Sequence, residues 1–432
     1  MPQNNTWAKI DIKMNQIKNK ISTIVKNKEA KTVASNFIWL SALQVAGYVF
    51  PLITLPYLAR VIGVDGYGKI AFAAAIILWA QIISEWGFNQ TATRDVAQNK
   101  DDRYKVSEIF SNVLWARSLL AFFLLILLSV LILVIPKFRS EWDILLVTFL
   151  LVPGHILFPD WFFQAMEKMR YISIINISMK LFFTIMVFIF VKDKSDYILQ
   201  PLFVSLGFML SGITSLYIIV KKWRVQLFRP CWGKIFQAIK ESTDVFINNL
   251  APNLYNSFSQ VLLGLLGDVR ANGIYEGGNK IYQISSNLLH VFTRVFFPFL
   301  SRNPHKHRMF VTITMSITIL IAIFLFVFAP LITRLMLSAE FTEAIIVIRI
   351  LSISLIFSML YNCYGMCYLI IHKKEKLLRQ ITIAVSILGF IIAYPLIHNY
   401  SYLGVALTVL ISRLLLGVVT SFFAISKKNK IN

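Results

Sequence analysis

Acidic residues are scarce in this chain, with 21 Asp and Glu against 43 Lys and Arg, a formal charge of +22. Charge of either sign is sparse as well, at 15% of residues, while 57% are hydrophobic and the mean hydropathy is +0.67. A water-soluble globule of 432 residues is excluded by that balance, which is the composition of an all-α polytopic membrane protein. No polar domain carries the positive charge, so a nucleic-acid partner is not expected. The Lys and Arg residues sit in short connections between apolar runs, where they set topology and attract anionic headgroups of membrane lipids.

Cysteine is nearly absent. Cys231, Cys363 and Cys367 build no disulfide framework. Cys363 and Cys367 lie one helical turn apart, but no His or carboxylate sits near them within their span, so the expectation is two packing residues and no metal. There is no Walker A motif, which removes ATP-driven transport, and no cofactor is called for. The outer connections are only a few residues long, which disfavours a membrane polymerase or ligase, and no catalytic residues are expected. The early lysines are not followed by a short apolar core and a cleavage site, so a cleavable signal peptide is not expected. His155 and His290 fall inside spans, where packing is a commoner role than proton carriage.

What is present is a series of apolar runs. A span needs roughly 20 apolar residues to cross about 30 Å of hydrocarbon. That ruler predicts about twelve spans, at 34–58, 68–88, 109–135, 142–163, 172–191 and 197–220, then 243–267, 274–299, 309–337, 343–370, 377–397 and 402–425. The N-terminal tail, the even-numbered connections and the C-terminus together hold 29 Lys and Arg, and the opposite connections hold 6. Both termini are therefore predicted to be cytoplasmic.

Two halves are visible. LARVIGVDGYG at 58–68 and LGLLGDVRANGIY at 263–275 occupy matching places after spans 1 and 7. The predicted organisation is a basic tail (1–33), a six-helix lobe (34–220), a linker (221–242), a second six-helix lobe (243–425) and a short tail (426–432). Six spans per half make the repeats parallel, and two such bundles enclose a central cavity.

Subtracting the 35 tail and connection residues leaves eight basic residues of the 43 inside spans. Lys69 and Arg334 are close enough to a span end to snorkel. Lys180 and Arg413 sit half way along theirs, where facing lipid costs at least about 2.5 kcal/mol. Arg117, Lys280, Arg294 and Arg349 lie at intermediate depth. Glu276 is read as an outer-end residue one turn from Lys280. The middle of the protein is then net positive, which favours an anionic passenger and argues against a multidrug exporter of cations.

Three segments carry a family resemblance. TLPYLARVIGVDGYGKIAFA (54–73) with EWGFNQTATRDVAQ (85–98), DWFFQAMEKMRYISIINISMK (160–180) and GIYEGGNKIYQISSNLLHVFTRVFFPFLSR (273–302) resemble O-antigen flippases of the Wzx type. Ala165 departs from the Gly common in that family, which implies a less tightly turned loop. The resemblance implies the multidrug/oligosaccharidyl-lipid/polysaccharide (MOP, MATE-like) exporter fold. It also implies a passenger, an undecaprenyl-diphosphate-linked oligosaccharide moved to the periplasmic leaflet of the bacterial inner membrane, and other polysaccharide-assembly membrane proteins as partners.

Under that resemblance Lys180, Arg413, Arg117, Lys280, Arg294 and Arg349 are the expected substrate-binding cations. Glu85, Arg94, Asp95 and Asp160 are the expected gate or coupling residues, with a proton or sodium gradient as driver. The expected motion is alternating access, bending at Pro51, Pro56, Pro153, Pro159, Pro252, Pro298 and Pro395.

Overall fold

In the computed structural model, residues 28–250 and 253–428 are described, and among them there are helices and no strands. The basic tail lies outside the described residues except for its last residues, which already belong to the first helix; Pro252 lies outside them too. The helices are α1 (Lys28–Val61), α2 (Gly63–Glu85), α3 (Phe88–Gln98), α4 (Arg103–Val134), α5 (Pro136–Ser140), α6 (Trp142–Phe149), α7 (Leu151–Leu157), α8 (Asp160–Ala165), α9 (Met169–Phe190) and α10 (Leu199–Lys222). The series continues with α11 (Trp232–Leu250), α12 (Ser257–Leu266), α13 (Val269–Arg302), α14 (His307–Met336), α15 (Ala344–Tyr361) and α16 (Glu375–Lys428).

Nine helices of the described residues are long and apolar enough to cross a membrane, against the twelve spans expected. The difference has three sources. Expected spans 11 and 12 run together in α16, broken only at Ser401, where φ is 49° and ψ is −127°. Expected span 7 is divided between α11 and α12. Expected span 8 is α13, whose 34 residues include too many polar ones.

The expected outer turn at 58–68 is far tighter than its sequence suggests. α1 continues to Val61 and α2 begins at Gly63, so Ile62 alone joins them, and Gly63 takes a φ of +69° that a side chain would resist. The expected linker at 221–242 is helical from Trp232 onward, with Trp232 and Phe236 exposed and Ile235 buried against α3, α4 and α8. The tight turn after α8 falls not at Ala165, which is buried in the helix, but at Glu167, with φ of 57°. Of the prolines, Pro51, Pro56, Pro298 and Pro395 sit within continuous helices, whereas Pro159 lies at the break before α8.

Lipid tails are as apolar as leucine, so helices in a membrane associate through close packing at small residues rather than through the hydrophobic effect. Gly154 and Gly212 bring α7 against α10, where a Cβ at Gly212 would stand 2.5 Å from Leu157 Cβ. Gly417 seats α16 on α15, with the Phe357 carbonyl 2.6 Å from where a Cβ would be. The outward faces carry Phe122, Phe123, Leu127, Val130 and Leu133 on α4 and Leu320, Ile323 and Phe324 on α14, all exposed, which gives an apolar belt.

The two halves meet most closely along α2 and α13. A Cβ at Gly68 would run into the Val269 carbonyl and one at Gly273 into the Val64 carbonyl, so these backbones touch. This contact is at the face opposite the basic connections. Polar ties reinforce it: Arg60 donates to the Leu335 carbonyl at 2.7 Å, and Lys194 pairs with Glu340 at 2.6 Å. The Val64 N–H donates to Glu340 at 3.0 Å, and Tyr67 meets the Phe341 ring edge to face. A buried cluster that includes Leu58, Ile62, Val64, Ile274, Leu337 and Phe341 fills the space beneath, sealing that face.

Leu in place of Gly68 must separate α2 from α13 and is expected to cost at least about 1–3 kcal/mol, read as a lower Tm. Gly233→Leu, at a glycine with nothing within 4 Å, should leave Tm close to wild type; equal shifts for the two would remove the contact from its structural role. Glu340 is held below the ordinary carboxylate range by the Lys194 ammonium and the Val64 N–H. Its contribution is therefore present above the unfolded value of about 4.3 and is lost as pH falls through the lower folded-state value. Hydrogen-exchange protection of the 63–68 amides should fall over that acidic window and lose this pH dependence in Glu340→Gln.

Candidate functional site

Between the lobes lies a cavity of about 450 Å³ lined by α2, α12, α13 and α16, including Gln81, Gln260, Glu276, Asn279, Lys280 and Arg413. It continues into a second space of about 340 Å³ between α1, α2, α10 and α13, sharing Ala71, Ala74, Leu151, Glu276, Lys280 and Gln283 with the first. A third, of about 270 Å³, shares Pro51, Thr54, Phe183 and Val204 with the second and reaches Lys180 on α9.

α13 supplies most of the polar lining because its polar residues recur on one face. Asn272, Glu276, Lys280, Gln283, Asn287, His290 and Arg294 follow one another at three- and four-residue steps, with Asn279 beside Lys280. Asp268 caps the helix, accepting from the Ala271 N–H at 2.6 Å, so the helix starts at Val269 and Glu276 stands two turns inside it. The reading of Glu276 as an outer-end residue is corrected by that cap.

Glu276 is 8% exposed and fully engaged. It pairs with Lys280 at 2.9 Å and accepts from Gln260 at 3.1 Å and Asn279 at 3.2 Å. Lys280 is thus neutralised inside the cavity. Arg413 is not: its guanidinium sits 4.4 Å from the Tyr282 ring centroid and donates to the Ser354 hydroxyl at 3.2 Å, with no carboxylate in ion-pair range among the described residues. Lys180, half-buried, has no hydrogen bond or ion pair among the described residues. Three cations therefore face one carboxylate along the connected cavities.

The other expected cations lie elsewhere. Arg117 is 4% exposed inside the first lobe, donates to the His155 carbonyl at 3.2 Å, and lies within electrostatic reach of Glu85 and Asp160. It lines none of the three cavities. Arg294 is exposed toward the basic face and reaches Gln44 of α1 at 3.4 Å; near it Tyr48 donates to the Asn287 carbonyl at 3.0 Å. Arg349 has a structural partner instead. Pro330 lacks the N–H that would bond the Phe326 carbonyl, and Arg349 Nε donates to that carbonyl at 3.2 Å while its guanidinium covers the Phe326 ring.

The expected gate residues separate into two places. Arg94 pairs with its neighbour Asp95 at 2.8 Å and joins no other lobe. Both line a polar pocket between α3, α4 and α11, where Glu108 takes ion pairs from Lys105 and Lys234. Glu85 and Asp160 instead lie within electrostatic reach of Arg117, and Asp160 accepts from the Trp161 N–H at 2.9 Å. His155 stacks on Phe208 with ring centroids 4.1 Å apart, a packing role. Gln260, Asn279 and Gln283 are cavity residues that charge counting alone misses; the polar stripe of α13 marks two of them.

Residues 33–304 match the family described as polysaccharide biosynthesis protein. A protein of Escherichia coli (strain K12) named "Putative O-antigen transporter" is 27% identical over 93% of this chain and 99% of its own length. A protein of the same name from Shigella dysenteriae is 25% identical over 88% and 97%. Among solved structures, the lipid II flippase MurJ in an inward closed conformation has a TM-score of 0.71 at 15% identity, covering 90% of this chain and 87% of that one. The likeness to MurJ establishes a shared fold, the one expected of the MOP exporters. With the family match spanning more than half of its length, this multi-pass membrane chain belongs to the polysaccharide biosynthesis protein family.

Proposed function

We propose that this protein is a flippase that carries undecaprenyl-diphosphate-linked O-antigen or related oligosaccharide repeat units from the cytoplasmic to the periplasmic leaflet of the bacterial inner membrane. The observation that carries this reading is the cavity between the lobes with the first-lobe space connected to it, in which Arg413 and Lys180 have no carboxylate partner among the described residues. Uncompensated cations in a low-dielectric wall attract a diphosphate, and a guanidinium offers paired donors to it. Relatives named as O-antigen transporters over nearly the whole chain support the cargo. Transport without covalent chemistry is the matching activity, and both termini face the cytoplasm, where the basic connections belong.

In the proposed cycle the lobes alternate between two closures. The tight α2–α13 contact, with the Glu340 ties, keeps the periplasmic side shut while the cationic cavity receives the head group from the other side. Opening then breaks those ties and forms new contacts at the basic face, where Gln44, Tyr48, Asn287 and Arg294 already face one another. A proton or sodium gradient drives the return, and the coupling site we assign is Glu85 and Asp160 around Arg117. Two carboxylates against one guanidinium leave room for one further positive charge.

Deletion of the gene should accumulate lipid-linked single repeat units on the cytoplasmic leaflet; accumulation on the outer leaflet would instead indicate a polymerase or ligase and overturn the flippase reading. Arg413→Ala in the complementing copy should reduce export by about tenfold or more, the loss of one charge-assisted contact. Arg413→Lys should recover only part of it, since an ammonium lacks the planar fork. Transport into vesicles under an imposed pH or sodium gradient identifies the driving ion.

A further inference from the structure

Lys180 lies at the middle of α9, away from the inter-lobe cavity proper, at one end of an apolar groove. Around its stem are Phe50, Pro51, Met179, Phe183 and Phe208, with Thr54 the other polar residue of that space. A second space of about 270 Å³ shares Met179 and runs on between α9 and α10 along Ile174, Phe182 and Leu210. The groove exists because residue 207 is glycine: a Cβ there would stand 2.9 Å from Met179 Cγ. Ile174 and Leu210, which line it, are exposed apolar residues of the outer belt, so the groove opens toward lipid rather than toward water.

A cation half way across a membrane, without partner, is costly unless something anionic meets it. An apolar groove leading away from that cation matches a hydrocarbon chain. We propose that the α9–α10 groove binds a phosphate-bearing lipid, with the phosphate on Lys180 and the chain lying along Met179, Phe182 and Leu210. Pro51, Thr54, Phe183 and Val204 line both the Lys180 space and the inter-lobe cavity, so a phosphate on Lys180 stands at a side entrance to the central site. The proposal rests on the flippase reading in one respect, that the lipid phosphate is the anchor of the cargo; an ordinary anionic phospholipid has the same chemistry.

The test uses the full-length protein with a photoreactive residue at Ser178, which lines the groove one turn from Lys180's neighbours. Phosphatidylcholine vesicles are doped with undecaprenyl phosphate in one arm and phosphatidylglycerol in the other, and the captured lipid is identified by mass. Capture of undecaprenyl phosphate that drops about tenfold in Lys180→Gln and persists in Lys180→Arg supports the site and the cargo lipid as its source. The same Lys180 dependence for phosphatidylglycerol alone supports the site with bulk anionic lipid as the source. Capture that ignores the charge at 180, or that takes phosphatidylcholine equally, overturns the proposal. Lys180→Met, which keeps the stem, repeats the comparison if the glutamine variant does not purify. No capture by the wild-type protein while export is intact counts against the groove alone, and Lys180-dependent capture in a protein whose deletion leaves export intact counts against the cargo reading alone.

Discussion

Two glycines, Gly68 and Gly273, let α2 and α13 touch backbone to backbone, and the relation between the lobes depends on that contact. In hydrocarbon there is no water to expel, so what holds two bundles together is close approach plus a few polar ties. At the sealed face both are present, with Glu340 accepting from the Val64 N–H and from Lys194. At the basic face the lobes meet through longer side chains, such as Arg294 on Gln44 and Tyr48 on the Asn287 carbonyl. A backbone contact is hard and short-ranged, whereas a side-chain contact can rearrange. The asymmetry between the faces follows from where the glycines lie.

The charges follow a second logic. Every basic residue inside the protein must be paired, covered or wet, and the structure uses all three solutions. Lys280 is paired with Glu276, and Lys69 with Glu141 at 3.2 Å. Arg349 is covered, spent on the carbonyl that Pro330 leaves without a donor. Arg117 is held on the His155 carbonyl in the core of the first lobe, within electrostatic reach of Glu85 and Asp160. What remains, Arg413 and Lys180, borders connected cavities. With Arg294 exposed at the basic face on Gln44, sorting by partner and place rather than by depth reduces six candidate cations to two.

Most of the fold was legible because its signal is long. Runs such as 109–135 or 309–337 admit one reading, and α4 and α14 appear where expected. α13 was harder, since a helix that lines a cavity gives up the hydropathy by which spans are found. Its polar stripe carried the information in a different form, periodicity rather than mean, and the Asp268 cap would have set its start and with it the depth of Glu276. Pairings across the fold had no trace in the sequence: Glu85 and Asp160 lie 75 residues apart and come within electrostatic reach of Arg117 only because α2 and α4 pack on each other and on α7, the helix that leads to Asp160. Arg94 was misleading for the opposite reason, having its partner, Asp95, next to it.

For the proposed cargo, a diphosphate with a hydrocarbon tail, the charge and the tail need different surroundings. A diphosphate gains from Arg413 only while water is present to complete its shell or leave with little cost, which asks for a roomy polar cavity lined by Gln260, Asn279 and Gln283. A hydrocarbon chain gains nothing there and would order the polar wall unfavourably. It is better left in lipid or in a groove such as that between α9 and α10. A carrier for a molecule with both parts therefore needs a cation reachable from the side, at the border between wet and oily space. Lys180, with Thr54 on one side and Phe182 beyond Met179 on the other, occupies that border.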